Sequence, residues 1–299
     1  MQLNEAAELP IGDEDRVTTV TMNISTNTSN PMCTVRVECV DDHIHVGSAS
    51  DIGSRSYQQD TAKVADDYVY AVSQKMIAIM CDGMGGLQGG EKASALCAEL
   101  LYQAFLQVDV SDNVPQFMRT MVSMLDKEVC ALTDENGAPL KAGTTLACAV
   151  LIGKELYWVS VGDSRIYLLR DGNMICLTQD HNFKMILDER VKKGLITQEA
   201  ADTHPKREAL VSFIGIGGPQ YIDCNEKPLL LSGGDCILIC SDGLYRTMRE
   251  DEILSIVTSA GDDMQSAASM LTDAAIAKRN RNQDNTSAIV MKYINNETA

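Results

Sequence analysis

The sequence has no long apolar run, no cluster of basic residues and no closely spaced cysteine pair. No apolar segment approaches the roughly 18 residues that a membrane-spanning helix needs. The amino terminus has neither the basic nor the apolar region of a secretory signal. We therefore expect a cytoplasmic protein without a membrane partner. The net charge of −17, with residues 278–281 as the densest basic stretch, argues against nucleic acid as a partner.

The ten cysteines are scattered through the chain, and none forms a Cys-x-x-Cys pair. This spacing argues against a zinc knuckle or a thioredoxin-like site, and we expect free thiols in a reducing compartment. The chain also has no Gly-x-Ser-x-Gly elbow and no P-loop lysine motif. A covalent serine nucleophile and a P-loop nucleotide site are therefore not indicated.

The order of the predicted elements indicates the fold class. Residues 1–31 are polar and rich in Thr and Asn, so we predict a flexible or loosely docked tail, followed by one domain over residues 32–299. Strand patterns cover residues 34–40, 43–46, 68–72, 76–81, 235–241 and 286–294, and an antiparallel meander is predicted over 145–152, 156–161, 165–169 and 174–177. Helical patterns cover 91–107, 113–132, 183–194, 197–202, 249–258 and 264–279. Grouped strands and grouped helices predict an α+β fold with two antiparallel sheets packed face to face and helices on both outer sides.

Five aspartates indicate the chemistry. Asp82, Asp163 and Asp242 end apolar runs, and Asp60 and Asp284 lie in amide-rich stretches. A strand carries a carboxylate to its end, and we expect the glycines after Asp82 and Asp242 to turn the backbone away at positive φ. Carboxylates gathered at one sheet edge repel one another unless a cation lies between them, and hard divalent ions prefer oxygen ligands. The sequence therefore predicts a carboxylate-built metal centre.

Seven motifs around these aspartates resemble, in order, those of the metal-dependent Ser/Thr protein phosphatases (the PPM family, type 2C), in its bacterial branch. The motifs span about residues 46–292 and are Ser50-Asp51-Ile52-Gly53-Ser54-Arg55 with Gln59-Asp60, Asp82-Gly83-Met84-Gly85-Gly86 with Gly90-Glu91, Ala142-Gly143-Thr144-Thr145, Gly162-Asp163-Ser164-Arg165, Leu177-Thr178-Gln179-Asp180-His181, Ser241-Asp242-Gly243-Leu244 and Asp284-Asn285-Thr286-Ser287. The resemblance implies hydrolysis of phosphoserine and phosphothreonine in proteins by a metal-bridging hydroxide. It also implies two core Mn²⁺ or Mg²⁺ ions.

The resemblance assigns a role to each matching position. Asp82 would bridge the two metals, with the Gly83 carbonyl on the second ion. Asp242 and Asp284 would complete the first ion's shell, and Asp60 would act through water. Asp163 would help to hold a third, weaker ion, although Gly162-Asp163-Ser164 also fits a hairpin turn. Arg55 would bind the substrate phosphate, and residues 183–218 would form a flap that influences which proteins dock. The catalytic residues implied are Arg55 and Asp82.

The chain departs from the family pattern at positions that bear on activity. Gln59 stands where many members carry Glu, which predicts a somewhat lower metal affinity. Leu87 replaces a His that is common in bacterial relatives, and Tyr57 and Gln58 fill a spacer that differs from the animal-type one. No His lies between residues 46 and 180, so the sequence names no general acid. We predict a structural role for His181.

Three functions remain open on this basis. The first is a monomeric protein phosphatase whose substrates are phosphorylated by a Ser/Thr kinase. The second is a regulatory pseudo-phosphatase that binds phosphoproteins with little hydrolysis, which Gln59 and the absent acid favour. The third is a phosphatase dedicated to one signalling partner, such as a sigma-factor regulator.

Overall fold

The computed structural model describes residues 17–21, 34–38, 42–65, 67–85, 89–111, 113–278 and 281–295. It divides the chain into two units, residues 1–41 and 42–299. The first unit contains an antiparallel pair of strands, β1 (Val17–Thr21) and β2 (Thr34–Glu38). β2 confirms the strand predicted over 34–40, and β1 lies inside the segment predicted as a tail. The predicted boundary between residues 31 and 32 lies outside the described residues.

The second unit is built around two antiparallel sheets. The first contains β3 (Asp42–Asp51), β9 (Arg165–Arg170), β10 (Asn173–Cys176), β13 (Cys236–Cys240) and β14 (Thr286–Asn295). Its strand order is β10-β9-β13-β14-β3. The second contains β4 (Asp60–Val64), β5 (Lys75–Gly85), β6 (Ala142–Thr144), β7 (Leu146–Ile152), β8 (Glu155–Val161), β11 (Asp223–Cys224) and β12 (Leu229–Leu230). Its order is β11-β8-β7-β5-β4, with β12 on β8 and β6 on β5.

The described residues contain eight helices. They are α1 (Asp67–Ser73), α2 (Gly89–Gln107), α3 (Val114–Cys130), α4 (Phe183–Lys192), α5 (Gln198–Asp202), α6 (Asp242–Tyr245), α7 (Glu250–Ser259) and α8 (Met264–Ala277). α2 and α3 pack on the second sheet, and α8 packs on the first sheet and on α7. In the described ranges, none of these helices has the length and apolarity needed to cross a bilayer.

The burial along β13 shows how the layers stack. Ile237 and Ile239 belong to the core that the two sheets share, whereas Leu238 and Cys240 pack with Leu271 of α8. Successive side chains of a strand point to opposite faces, so both faces of β13 are covered. This arrangement confirms the predicted α+β fold with two antiparallel sheets between outer helices.

Local signals account for where several helices begin. The side chain of Asn113 accepts a hydrogen bond from the Gln116 backbone N–H (3.0 Å) at the start of α3. Asp263 does the same for Ser266 (2.9 Å) at the start of α8. Such caps satisfy backbone donors that the first helical turn leaves unpaired. The helices predicted over 91–107, 113–132, 183–194, 197–202, 249–258 and 264–279 are confirmed to within a few residues.

One predicted strand is wrong. Residues 68–72 were predicted as a strand, but they lie in helix α1. A short apolar run does not by itself distinguish a strand from a buried helix, and tertiary contacts decide between them. Here Tyr70 is fully buried and its hydroxyl donates to the Gly153 carbonyl (2.9 Å). Gln74, at φ 55°, ends the helix.

The predicted meander over residues 145–177 is also wrong as a single unit. β7 pairs with β8 in the second sheet, and β9 pairs with β10 in the first sheet. The Gly162-Asp163 connection therefore crosses from one sheet to the other and is not a hairpin turn. A local pattern marks each strand but does not record which sheet it joins.

The cysteines confirm the prediction of free thiols where they are described. Cys81, Cys97, Cys148, Cys236 and Cys240 are buried and unpaired. Cys130, Cys176 and Cys224 are also free. Cys33 and Cys39 lie outside the described residues.

Candidate metal centre

Asp60 and Asp82 are brought together by the pairing of β4 with β5, in which they are directly opposite each other. Asp60 is buried, and its Oδ2 accepts a hydrogen bond from the Ser241 hydroxyl (2.7 Å). Asp82 is half-buried, and its backbone N–H donates to Thr145 Oγ1 (2.9 Å) while its carbonyl accepts from the Thr145 N–H (2.8 Å). The backbone on both sides of the Asp82 carboxylate is therefore fixed.

The glycines after Asp82 and Asp242 do not serve the purpose that we predicted. Neither Gly83 nor Gly243 has a positive φ. A Cβ on Gly83 would instead lie 2.2 Å from the Gly90 carbonyl oxygen, and one on Gly243 would lie 2.1 Å from the Asn285 carbonyl oxygen. Glycine is needed because other backbone segments pass in contact with these positions. That close packing brings the neighbouring loops up to the aspartates.

Asp163 lies on the connection that crosses between the sheets. Gly162, at φ 109°, precedes it, and the backbone N–H of Gly162 donates to His181 Nδ1 (3.2 Å). The backbone N–H of His181 donates in return to the Gly162 carbonyl (2.8 Å). His181 is buried, and these bonds confirm the structural role predicted for it. The imidazole positions the segment that carries Asp163.

Asp242 lies at the end of β13, where the chain enters α6. Its Oδ2 is 3.1 Å from the Nε of Arg246, one helical turn later. Arg246 also donates from Nη2 to Asp163 Oδ2 (2.9 Å). The two carboxylates therefore share one guanidinium, a contact that we did not predict from the sequence. The spacing of four residues between Asp242 and Arg246 is the signal that could have indicated it.

Asp284 lies just before β14, beside the loop that carries Arg55. Arg55 Nη2 is 2.5 Å from Asp284 Oδ2. The adjacent Asn285 holds the loop, because its Nδ2 donates to the carbonyls of Ile52 (2.9 Å) and Tyr57 (3.1 Å), and its Oδ1 accepts from the Gln59 N–H (2.8 Å). The amide-rich motif was recognised in the sequence, but these three hydrogen bonds of the Asn285 side chain were not predicted.

These groups meet at one cavity of about 480 Å³. Of the residues predicted for the site, Arg55, Asp82, Gly83, Asp163, Asp242 and Asp284 line it. Asp60 lies against the cavity through its pairing with Asp82. Thr145 and Asn285, which stood in the motifs without a role, also line it, as do Gln59 and Glu208 of the predicted flap. Arg246 lines it too, and the sequence analysis missed this residue. Among the described residues that line the cavity there is no histidine.

The electrostatics of the cavity disfavour the charged form of its carboxylates. Burial, together with the charges of Asp242 and Asp284, raises the pKa of Asp60 to about 6, although the Ser241 hydroxyl donates to its carboxylate. Burial and the charge of Asp242 raise the pKa of Asp163 to about 7, and Arg246 offsets only part of this. The pKa values of Asp82 and Asp242 are also raised, mainly by burial. Four neighbouring carboxylates with raised pKa values indicate missing positive charge.

The hydrogen bonds also fit a bound cation. Oδ1 of Asp60 and Oδ1 of Asp242 are buried and accept no hydrogen bond from the described residues. An oxygen left without a partner away from water is costly, and a divalent ion that takes oxygen ligands would satisfy it. As the side chains stand, no three metal-binding side chains in the described residues converge on one ion. Arg55 and Arg246 instead pair with three of the carboxylates, so two core ions would replace or rearrange the contacts at Asp284 and Asp242.

Comparisons with known proteins agree on one family. The model of the family described as protein phosphatase 2C matches residues 49–277. The chain is 30% identical to the serine/threonine phosphatase stp of Listeria monocytogenes over 201 residues, which are 66% of this chain and 78% of that protein. The structure of the S. agalactiae serine/threonine phosphatase superposes with a TM-score of 0.70 at 25% identity and covers 84% of this chain and 99% of its own.

A third similar structure is the catalytic domain of the serine/threonine protein phosphatase PstP in complex with two manganese ions. Its TM-score is 0.61 at 25% identity, and the match covers 85% of this chain and 99% of that one.

Proposed function

The chain belongs to the protein phosphatase 2C family, and from that premise we propose how its residues carry out the reaction. It is a metal-dependent protein phosphatase that acts on phosphoserine and phosphothreonine in proteins. One observation carries the proposal for its site: Asp82, Asp163, Asp242 and Asp284 line one cavity with Arg55, and the described residues donate no hydrogen bond to the buried Oδ1 of Asp242 or to that of the adjoining Asp60.

Two divalent ions, Mn²⁺ or Mg²⁺, would be held by Asp82, Asp242, Asp284 and the Gly83 carbonyl, with Asp60 acting through water. Such ions acidify water and neutralise phosphate charge. The free Oδ1 atoms of Asp60 and Asp242 support this assignment. The residues themselves contribute a fixed framework, because Ser241 orients Asp60 and Thr145 orients the backbone of Asp82. The complex of PstP with two manganese ions supports the number of core ions.

Arg55 would bind the phosphate of the substrate. Its side chain is 56% exposed and pairs with Asp284 at the cavity. A guanidinium can donate two parallel hydrogen bonds to a phosphate, which a lysine cannot do. We expect Arg55→Ala to raise the KM for a phosphopeptide, and Arg55→Lys to restore binding only in part. An unchanged KM and kcat/KM in Arg55→Ala would show that Arg55 does not bind the substrate phosphate.

The proton for the leaving alkoxide has no histidine donor among the described residues that line the cavity. The leaving alkoxide would take its proton from water in the cavity or from another group there.

The protein substrates would dock beside residues 183–218, the predicted flap. Glu208, Leu210 and Phe213 of this segment line the cavity. A backbone bridge between Ile214 and Thr144 joins the segment to β6 (N···O 2.9 and 3.0 Å). This position beside the cavity supports a role in substrate choice. We further propose that a Ser/Thr kinase produces the substrates and that the protein acts as a cytoplasmic monomer.

Hydrolysis of p-nitrophenyl phosphate and of a phosphothreonine peptide, with Mn²⁺ and with chelator, tests the proposed site. We expect activity only with the metal, and its loss in Asp82→Ala and Asp284→Ala. Asp273→Ala serves as the matched control, because Asp273 is an exposed aspartate on α8. Activity that survives chelation would contradict the metal mechanism. A folded protein that binds Mn²⁺ and hydrolyses neither substrate would instead support the pseudo-phosphatase.

A further inference from the structure

Arg246 is a guanidinium built into the wall of the cavity. It directly follows α6, and its backbone N–H donates to the Asp242 carbonyl (3.0 Å). Its side chain extends back over one helical turn to two carboxylates, with Nη2 2.9 Å from Asp163 Oδ2 and Nε 3.1 Å from Asp242 Oδ2. Nη2 is also 3.7 Å from a Glu208 oxygen. Three acidic side chains therefore surround one permanent positive charge.

The neighbouring Tyr245 fixes the distance between Arg246 and Asp163. The Tyr245 hydroxyl donates to the Asp163 carbonyl (3.0 Å). On its other side, the Tyr245 ring stacks against the Arg165 guanidinium, 3.6 Å from the ring centroid. Arg165 is in turn held by two hydrogen bonds to Asp180 (2.9 and 2.7 Å). Asp163 and α6 are therefore held together by contacts that do not depend on the ion pair itself.

The position of Arg246 affects how well Asp163 could bind a further cation. The Asp163 side chain is only 5% exposed, so its charge needs a partner close by. Arg246 supplies that partner and cannot lose its proton at physiological pH. A divalent ion that bound Asp163 would face this guanidinium at hydrogen-bond distance, or would have to displace it from Asp163 and Glu208 together. Both alternatives weaken ion binding.

We propose that Arg246 takes the place of the third, weaker ion that the family resemblance implies at Asp163. The protein then binds two divalent ions at this centre, and a fixed guanidinium supplies the remaining positive charge. This inference rests on the proposed function, because it concerns the same cavity. It gives Arg246 a positioning role, since it acts through Asp163 and Asp242.

Counting bound Mn²⁺ tests the proposal without reference to activity. The electron paramagnetic resonance signal of free Mn²⁺, followed during a titration, gives the number of ions bound per chain. We expect two ions in the wild type, a third and weaker ion in Arg246→Gln, and two again in the double variant Arg246→Gln with Asp163→Asn. Arg246→Lys keeps the charge and should remain at two. Thermal unfolding of each variant shows that it is folded.

The outcomes separate this inference from the proposed function. Three ions in the wild type, reduced to two by Asp163→Asn, would overturn the inference and leave the metal-dependent phosphatase intact. Two ions in Arg246→Gln would overturn it as well. A wild type that binds fewer than two ions would contradict the proposed two-ion site, and the inference would fail with it.

Discussion

The protein buries carboxylates in two kinds of surroundings, and these differ in their hydrogen bonds. In the cavity, Asp60 and Asp242 each have a buried oxygen without a partner among the described residues. Away from the cavity, Asp126 of α3 accepts backbone N–H bonds from Gly215 (2.7 Å) and Gly217 (3.2 Å) on one oxygen and from Gly218 (2.7 Å) on the other. It is as deeply buried, with 5% exposed against 7% for Asp60.

Asp235, beside β13, resembles Asp126 in this respect. Arg170 donates two hydrogen bonds to it (2.9 and 2.5 Å), and the Ser232 N–H donates a third (2.7 Å). Burial alone therefore does not mark the cavity, because all these carboxylates are buried. The cavity differs because its carboxylates are short of hydrogen-bond donors. At Asp126 and Asp235, by contrast, the fold supplies donors to both carboxylate oxygens. Carboxylates that the protein leaves without donors are suited to ions from solution.

The largest effect that separates the two groups is expected for Asp82→Asn. We expect activity with Mn²⁺ to fall by at least about 10²-fold, the scale for losing one electrostatic group at an active site. The melting temperature in chelator should rise, because the pKa of Asp82 is raised by burial and by neighbouring aspartates, so its charge destabilises the metal-free fold. Initial rates and calorimetry measure both quantities. A melting temperature of Asp82→Asn below that of the wild type in chelator would show that Asp82, like Asp126 and Asp235, has the donors that its charge needs.

Asp126→Asn should lower the stability of the fold, whereas Asp82→Asn should raise it in chelator. The new amide would present N–H groups to backbone donors, so the free energy of unfolding should fall by about 1–3 kcal/mol, with or without Mn²⁺. Urea denaturation measures this change. Asp273→Asn, at an exposed position on α8, is the matched control and should stay within about 0.5 kcal/mol of the wild type. An unchanged free energy of unfolding in Asp126→Asn would show that the three hydrogen bonds to Asp126 do not distinguish this carboxylate from those of the cavity.

The smallest effect is a dependence on pH in the chelated protein. A carboxyl whose pKa is higher in the folded than in the unfolded state contributes stability below its unfolded pKa and loses it as pH rises through the folded pKa. Burial raises the pKa of Asp60 from 3.8 to about 6. The melting temperature of the wild type should therefore fall, relative to that of Asp60→Asn, as pH rises from about 4 to about 6.

Mn²⁺ should remove this relative fall, because a bound cation favours the charged carboxylate. Thermal scans of both proteins across that pH range, with Mn²⁺ and with chelator, provide the measurement. Two curves that remain parallel in chelator would show that the Asp60 carboxyl does not carry the unfavourable charge.

The sequence indicated much of the fold because periodicity reflects burial. The apolar run over residues 76–81 and the helical stripe of α2 follow from which side chains must leave water, and both were predicted correctly. The stretch at 68–72 was mistaken because a five-residue run fits either element. The path from β8 to β9 was mistaken because a strand pattern does not specify its partner.

For the site, the motifs identified Arg55 and the aspartates that the structure brings to one cavity. They did not identify Arg246 and gave no role to Asn285, because the contacts of both depend on the distances between separate segments. Asn285 acts on a loop more than two hundred residues earlier in the chain. Gly83 and Gly243 were identified, but for the wrong reason, since the backbone of Gly90 excludes a side chain at Gly83 and the backbone of Asn285 excludes one at Gly243.

The sequence by itself determined which groups of atoms are available: hard oxygen ligands at Asp60, Asp82, Asp163, Asp242 and Asp284, within strands or close to their ends. Only the tertiary structure decided which of these carboxylates obtain donors and which do not. The reason is physical. Covalent order fixes the type and spacing of side chains, but hydrogen bonds and desolvation depend on distances across the packed sheets, which no local pattern contains.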